Sequence, residues 1–135
     1  MTRINVGIPP SELNTKMLIA EHREIKRIPN AIKSGRFNLK NQPSEFTLGT
    51  GHVKFFYTRI GYLKSRYAQI YQECKRRGFA VTDFSSAFDG IGDQFMGEYS
   101  PSEHDSHLIT ERIRIRLFDK RRIRFIETSN QSRSR

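Results

Sequence analysis

The sequence predicts an all-α protein, a compact single domain of three helices joined by long loops. Two segments carry apolar residues at helical spacing, and a third segment opens with the cap sequence of a helix. The chain has 135 residues, a length that fits one domain with a core that forms without disulfides. We expect residues 1–127 to form this domain and residues 128–135 to form a basic disordered tail.

The first helix is predicted to begin near Ser11, a favourable N-cap residue that follows Pro9 and Pro10. Its inward stripe consists of Leu13, Met17, Ala20, Ile25 and Ile28. Pro29 is expected to end or kink this helix, because proline lacks the backbone N–H and clashes with the preceding turn. Residues 34–51 are rich in Gly, Asn, Pro and Ser and predict a long loop.

The second helix is predicted over about 54–77. Its stripe consists of Ile60, Leu63, Tyr67, Ile70 and Cys74. Gly78 is a good residue for the position after the helix, where a left-handed conformation is common. Residues 79–99 contain several Gly and Asp residues and predict a second long loop.

The third helix is predicted to begin at Ser100-Pro101-Ser102-Glu103, which has the pattern of a capping box with proline at the first helical position. Its end is less well defined by the pattern. Residues 112–117 and 122–125 alternate between basic and apolar side chains with a period of two. The C-terminal part is therefore expected to be irregular or to form a small β-hairpin.

The net charge of +10 points to a polyanionic partner, with nucleic acid favoured over a membrane surface. No apolar run approaches the length of a membrane span, and no secretory leader is visible, so we expect a cytoplasmic protein. The single cysteine, Cys74, excludes an intrachain disulfide and fits a buried core thiol. His104 and His107 have a spacing seen in metal sites, but no further ligand accompanies them and no metal is expected.

Several motifs resemble one family of DNA-repair enzymes. They are MTRIN at 1–5, SEL at 11–13, AEHREIKR at 20–27, FTLGTGHVKFFY at 46–57, ECKRRGF at 73–79 and QFMGEYSP at 94–101. In these residues and in their order the chain is similar to the pyrimidine-dimer DNA glycosylases of T-even phages, which are also abasic-site lyases. The resemblance implies a helical domain whose N-terminal segment is threaded between helices.

The resemblance also implies the chemistry. The nucleophile would be the α-amine of Thr2 after removal of the initiator Met1, and the essential carboxylate would be Glu24. The activity would be removal of a base from a UV-induced pyrimidine dimer, followed by β-elimination through a Schiff base. Glu21, three residues before Glu24, is expected to be a structural or orienting group.

Arg3, Arg23 and Arg27 match family residues that bind DNA phosphates beside the lesion, and Lys26 and Lys33 are expected to extend this DNA-binding surface. Arg23 and Arg27 share a helix face at i, i+4 spacing. His22 is interpreted as a packing or DNA-contact residue, and His52 as a residue that holds a loop by hydrogen bonds.

The expected partner is double-stranded damaged DNA, bound by a monomer without cofactor or metal, in the cytoplasm of a bacterial or phage-infected cell. The family's aromatic tail is replaced here by the basic and aliphatic run RIRFIETSNQ at 122–131. The alternative is a non-enzymatic basic DNA-binding protein of the same fold. That protein would bind DNA with a steep salt dependence and without preference for damage.

Overall fold

Helices dominate the fold, as predicted. The computed structural model describes the backbone of residues 2–133 and the side chains of residues 2–118. Five α-helices follow one another along this part of the chain: α1 (Thr15–Glu24), α2 (Arg27–Lys33), α3 (His52–Phe55), α4 (Ile60–Arg76) and α5 (Glu103–Arg133). Short 3-10 turns occur at Pro10–Glu12, Phe56–Thr58, Ser85–Phe88 and Asp93–Phe95. The described backbone contains no β-strand and no helix long and apolar enough to cross a membrane.

The predicted first helix begins later than expected, so the assignment of Ser11 as its N-cap is wrong. Ser11 lies in the 3-10 turn Pro10–Glu12, and Leu13 is extended (φ −79°, ψ 139°). The N-cap is Asn14, whose side chain accepts a hydrogen bond from the Met17 N–H at 2.8 Å. Asn is as good a cap residue as Ser, so contacts elsewhere in the fold decide between the two positions.

The helix is interrupted before Pro29, which confirms the predicted kink. α1 ends at Glu24 and α2 begins at Arg27, so Pro29 is the third residue of the new helix. The first four N–H groups of a helix have no partner within it, and the missing N–H of a proline therefore costs nothing there. The predicted loop over 34–51 is confirmed.

The second predicted helix divides into α3 and α4, separated by the 3-10 turn Phe56–Thr58 and Arg59. At this break the backbone of residues 96–97 approaches α4, and the Tyr62 N–H donates to the Gly97 carbonyl at 3.3 Å. A Cβ on Gly61 would lie 2.8 Å from the Met96 carbonyl oxygen, so only glycine permits this approach. Gly78 has φ +80° after α4, in agreement with its predicted role.

α5 begins at Glu103, and its capping box is Ser102 with Asp105 rather than Ser100 with Glu103. The Asp105 N–H donates to Ser102 Oγ at 3.0 Å, and the Ser102 N–H donates to Asp105 Oδ2 at 3.2 Å. The β-hairpin considered for 112–125 is wrong, because both alternating runs lie in α5. Helical burial explains the choice: Ile109 is fully buried and Ile113, four residues on, packs against the core. The division into a domain at 1–127 and a tail at 128–135 stays a prediction; the described backbone of α5 extends to Arg133, and residues 134–135 lie outside the described residues.

The core is built from all five helices and from the N-terminal segment. Ile4 and Val6 are fully buried. Every residue of the stripe predicted for α4 is at most 2 % exposed. The segment is threaded among helices, because side chains of α1, α3 and α4 all form hydrogen bonds with residues 4–8. The other buried apolar side chains are Leu13, Leu18, Ile25, Ile28, Ile32, Phe46, Phe55, Phe56, Phe88 and Ile109.

Candidate active site

A buried ion pair holds the N-terminal segment against α1. Glu21 is 1 % exposed and Arg66, on α4, is 5 % exposed. Arg66 donates from Nε and Nη2 to the Glu21 carboxylate and from Nη1 to the Ile8 carbonyl at 3.0 Å. The Asn5 N–H and the Asn5 side chain donate to Glu21 Oε1 at 3.3 and 2.8 Å. Glu21 is therefore an orienting group with a full set of partners.

A histidine of α3 holds the same segment through a second contact. His52 is the first residue of α3 and is 4 % exposed. The Ile4 N–H donates to His52 Nε2 at 3.0 Å, and His52 Nδ1 lies 2.9 Å from the Thr47 carbonyl oxygen. The interpretation of His52 as a loop-holding residue is confirmed, and the ring has a second role at the N-terminal segment that the sequence pattern did not indicate.

Two adjoining clefts open beside the N-terminal segment. One, with a volume of about 630 Å³, is lined by Thr2 and His52 and by the aromatic rings of Phe37 and Tyr57. The other, of about 360 Å³, is lined by Glu24 and Arg23 together with residues of α5. Arg3 and Arg112 line both clefts. The fold thus brings the two predicted catalytic residues, Thr2 and Glu24, to neighbouring clefts with a shared arginine wall.

Glu24 lies at the C-terminal end of α1 between two arginines. Its side chain is 14 % exposed, and its Oε1 is 3.8 Å from Arg23 Nη2 and 3.9 Å from Arg27 Nη1. The two arginines remain 60 % and 50 % exposed. These distances are long for charge-assisted hydrogen bonds, so the arginines flank the carboxylate while keeping donors available for a ligand.

Lys26 and Lys33 contact the loop at 79–99. Lys26 Nζ lies 3.5 Å from the centre of the Phe84 ring, and Lys33 Nζ donates to the Ser86 carbonyl at 3.1 Å. His22 packs in the same region: it is 3 % exposed, and its ring centre lies 5.4 Å from that of Tyr67 and 5.1 Å from that of Phe84. Burial lowers the pKa of His22, so the ring is a neutral packing residue at pH 7.

Arg112 is a residue of the site that the sequence analysis missed. Its Nε and Nη2 are buried and have no hydrogen-bond partner within the part of the chain that the structure describes. Burial, and next the positive charges of Arg3 and Arg116, lower the pKa of Arg112 to about 10, so it stays protonated at pH 7. A partly buried cation beside other cations favours the binding of an anion. Arg112 and Arg116 are four residues apart and would share one face of a helix, which was the sequence pattern that could have indicated the site. The alternating pattern of 112–117 instead favoured a strand.

The remaining candidates have structural roles. Cys74 is fully buried, and burial raises the pKa of its thiol, so it is not a thiolate nucleophile at neutral pH. Among the described residues, His, Cys, Asp and Glu side chains form no group of three that is suited to a metal ion.

Clefts lined by several arginines, on a chain of net charge +10, are typical of a protein that binds nucleic acid. The family model described as pyrimidine dimer DNA glycosylase matches residues 1–86, and the chain belongs to this family. Membership makes DNA repair the functional class and damaged DNA the partner. The matched residues include Thr2, Glu21, Glu24 and His52, whereas Arg112 lies beyond them.

Proposed function

We propose that the protein is a bifunctional enzyme that removes a base from a pyrimidine dimer and then cleaves the strand at the abasic site. The observation that carries this proposal is the placement of Thr2 and Glu24 in adjoining clefts that share Arg3 and Arg112. The nucleophile is the α-amine of Thr2 after removal of Met1, and the substrate is double-stranded DNA bound by a monomer.

The α-amine suits this reaction because of its basicity. Its ordinary pKa of about 7.7–8.0 leaves roughly a tenth of it as free base at pH 7, against under about 0.1 % for a lysine. The amine nitrogen attacks C1′ of the damaged nucleotide, and the glycosidic bond breaks with its electron pair leaving on the base, which takes up a proton. The C1′–O4′ bond then opens, O4′ takes up a proton, and an iminium links C1′ to the Thr2 nitrogen.

Glu24 is proposed to act in both stages. Its carboxylate stabilises the positive charge that develops on the sugar and on the iminium. It also transfers protons during the elimination, in which a C2′ proton is removed and the C3′–O bond breaks, so that the 3′ phosphate leaves. The final hydrolysis of the imine consumes water and returns the free amine.

Phosphate binding is proposed for the exposed arginines on both sides of the clefts. Arg23 and Arg27 project from α1 and α2 with half or more of each side chain exposed, and Arg3 lies between the clefts. Arg112 adds a buried donor pair for one phosphate. Lys26 and Lys33 contribute positive charge from the side of the loop at 79–99.

Replacement of Arg112 by Met is expected to stabilise the free protein and to weaken DNA binding. Arg112 Nε and Nη2 are buried without a hydrogen-bond partner among the described residues, which is costly, so we expect the free energy of unfolding in urea to rise by about 1 kcal/mol. Loss of one phosphate contact should lower affinity about tenfold and reduce the log–log salt slope by about 0.9. Arg114→Met, at an exposed arginine of the same helix, is the matched control. Destabilisation by Arg112→Met with unchanged DNA affinity would contradict this role.

Trapping with borohydride on a duplex that contains an abasic site tests the proposed function. Borohydride reduces the imine to a stable amine, so a covalent protein–DNA adduct should form in the presence of EDTA, with the attachment mapped by mass spectrometry to Thr2. Thr2→Ser keeps a small second residue that permits Met1 removal, and it should form the adduct. Thr2→Gln is expected to retain Met1 and to lose the adduct, since the amine is then displaced by one residue. Absence of any adduct with the natural sequence would overturn the proposal and favour a non-enzymatic DNA-binding role.

A further inference from the structure

The two ring nitrogens of His52 have different and fixed roles. A backbone N–H can only donate, so the Ile4 N–H requires a lone pair on His52 Nε2. A backbone carbonyl can only accept, so the Thr47 oxygen requires a proton on His52 Nδ1. The ring is therefore neutral, with the proton on Nδ1, and each nitrogen holds a different segment of the chain.

The surroundings of His52 keep the ring in this neutral form. Burial lowers the pKa of His52, and the neighbouring positive charges of Arg112 and Arg3 lower it further. The hydrogen bond to Thr47 opposes this shift without reversing it. At neutral pH, Nε2 consequently remains an acceptor for the Ile4 N–H, although the clefts beside it are lined with arginines.

The position of Ile4 makes this hydrogen bond relevant to the reaction. Ile4 is two residues from Thr2, its side chain is fully buried, and the next residue, Asn5, is held by Glu21 of α1. Residues 4 and 5 are therefore held by side chains of two helices, α3 and α1. Thr2 and His52 also line the same cleft. A displacement of the Ile4 backbone is therefore expected to displace the Thr2 amine, which is two residues away.

We propose that His52 is a positioning residue for the Thr2 amine, acting through the hydrogen bond from the Ile4 N–H to Nε2. This inference rests on the proposed function, because it assigns a role in the chemistry performed by that amine. A displacement of about 1 Å between reacting groups costs about a hundredfold in rate, so loss of this bond should slow imine formation more than it weakens DNA binding.

Two substitutions separate the roles of the two nitrogens. Gln at position 52 can place its amide oxygen near the Nε2 position and accept from Ile4, but it leaves the Thr47 carbonyl without its donor. Asn can place its amide nitrogen near the Nδ1 position and donate to Thr47, but it leaves the Ile4 N–H without its acceptor. Each variant loses one of the two hydrogen bonds, so the pair controls for a general effect on stability.

The experiment measures single-turnover borohydride trapping on abasic-site duplex at several protein concentrations, at a temperature where thermal melts show both variants to be folded. We expect His52→Asn to lower the rate constant at saturating protein by about tenfold to a hundredfold with little change in Kd, and His52→Gln to remain within a few fold of the natural sequence. Equal rates for the two variants, or a change in Kd alone, would overturn the positioning role.

Nuclear magnetic resonance of the unmodified protein provides a second measurement that does not depend on activity or on the folding of the variants. With uniform ¹⁵N labelling, His52 should show a protonated Nδ1 and an unprotonated Nε2, and a scalar coupling across the hydrogen bond should link Nε2 to the Ile4 amide nitrogen. The opposite tautomer would overturn the inference. Failure of the natural sequence to form any adduct would instead overturn the proposed function, so the two failures are distinguishable.

Discussion

Glu24→Gln is expected to lower the rate of strand cleavage at an abasic site by a factor of about 10²–10⁴, while DNA affinity remains nearly unchanged. The amide has the shape of the carboxylate but carries no charge and cannot take up a proton at neutral pH. It therefore loses both the stabilisation of the cationic sugar and the proton transfer. Binding is spared because Arg23 and Arg27, which flank the carboxylate, keep their exposed donors.

Single-turnover cleavage and a fluorescence binding titration, both at the same salt concentration, check this prediction. Removal of one negative charge from a protein of net charge +10 is expected to tighten non-specific DNA binding slightly. Glu12→Gln makes the same change of charge at an exposed residue and is the matched control. Retention of more than about a tenth of the cleavage rate in Glu24→Gln would remove Glu24 from its proposed role.

The apolar periodicity of the sequence was sufficient to predict the buried face of α4, but in α1 the fully buried apolar residue is Leu18, whereas Met17 and Ala20 of the predicted stripe are half-buried. The α4 stripe from Ile60 to Cys74 is buried as expected, and Gly78 follows the helix in the expected conformation. This success has a local cause, since a 3.6-residue repeat of apolar side chains defines one face of a helix wherever that helix packs.

Helix starts were predicted less well, because several cap residues compete at each start. Ser11 and Asn14 are both suitable, and the choice depends on Arg77, whose guanidinium donates to the carbonyls of Pro10, Ser11 and Leu13. Those bonds hold the chain in a 3-10 turn followed by an extended residue, so that α1 begins only after Asn14. A contact across 64 or more residues is not visible in the local pattern.

Of the candidate site, only the residues that lie in the family motifs were predicted from the sequence. Thr2 and Glu24 were indicated by the resemblance, and the fold places them in adjoining clefts. Arg112 was missed because Ile113, Ile115 and Leu117 alternate with arginines, and such a run fits a strand as well as a helix. The partner of Glu21 could not be predicted either, because Arg66 is 45 residues away in the sequence and only the packing of α1 against α4 brings the two together.

The Glu21–Arg66 pair is expected to give the largest effect on stability. Arg66→Met leaves Glu21, which is 1 % exposed, as a buried carboxylate without its cation. Loss of one partner of a buried pair typically costs about 3–5 kcal/mol, and we expect the free energy of unfolding in urea to fall by about that amount. Arg114→Met removes an exposed arginine from its pair with Glu111 and should change stability little.

The double variant Glu21→Met with Arg66→Met distinguishes the value of the pair from the cost of an unpaired charge. Removing both charges avoids the desolvated carboxylate, so the double variant should be more stable than Arg66→Met alone. It should still lose cleavage activity, because the N-terminal segment then loses the hydrogen bonds of Asn5 to Glu21 and of Arg66 to the Ile8 carbonyl. A double variant that regains stability and cleaves at the natural rate would show that the pair serves folding alone. Recovered stability with lost cleavage would assign the pair to the placement of the N-terminal segment.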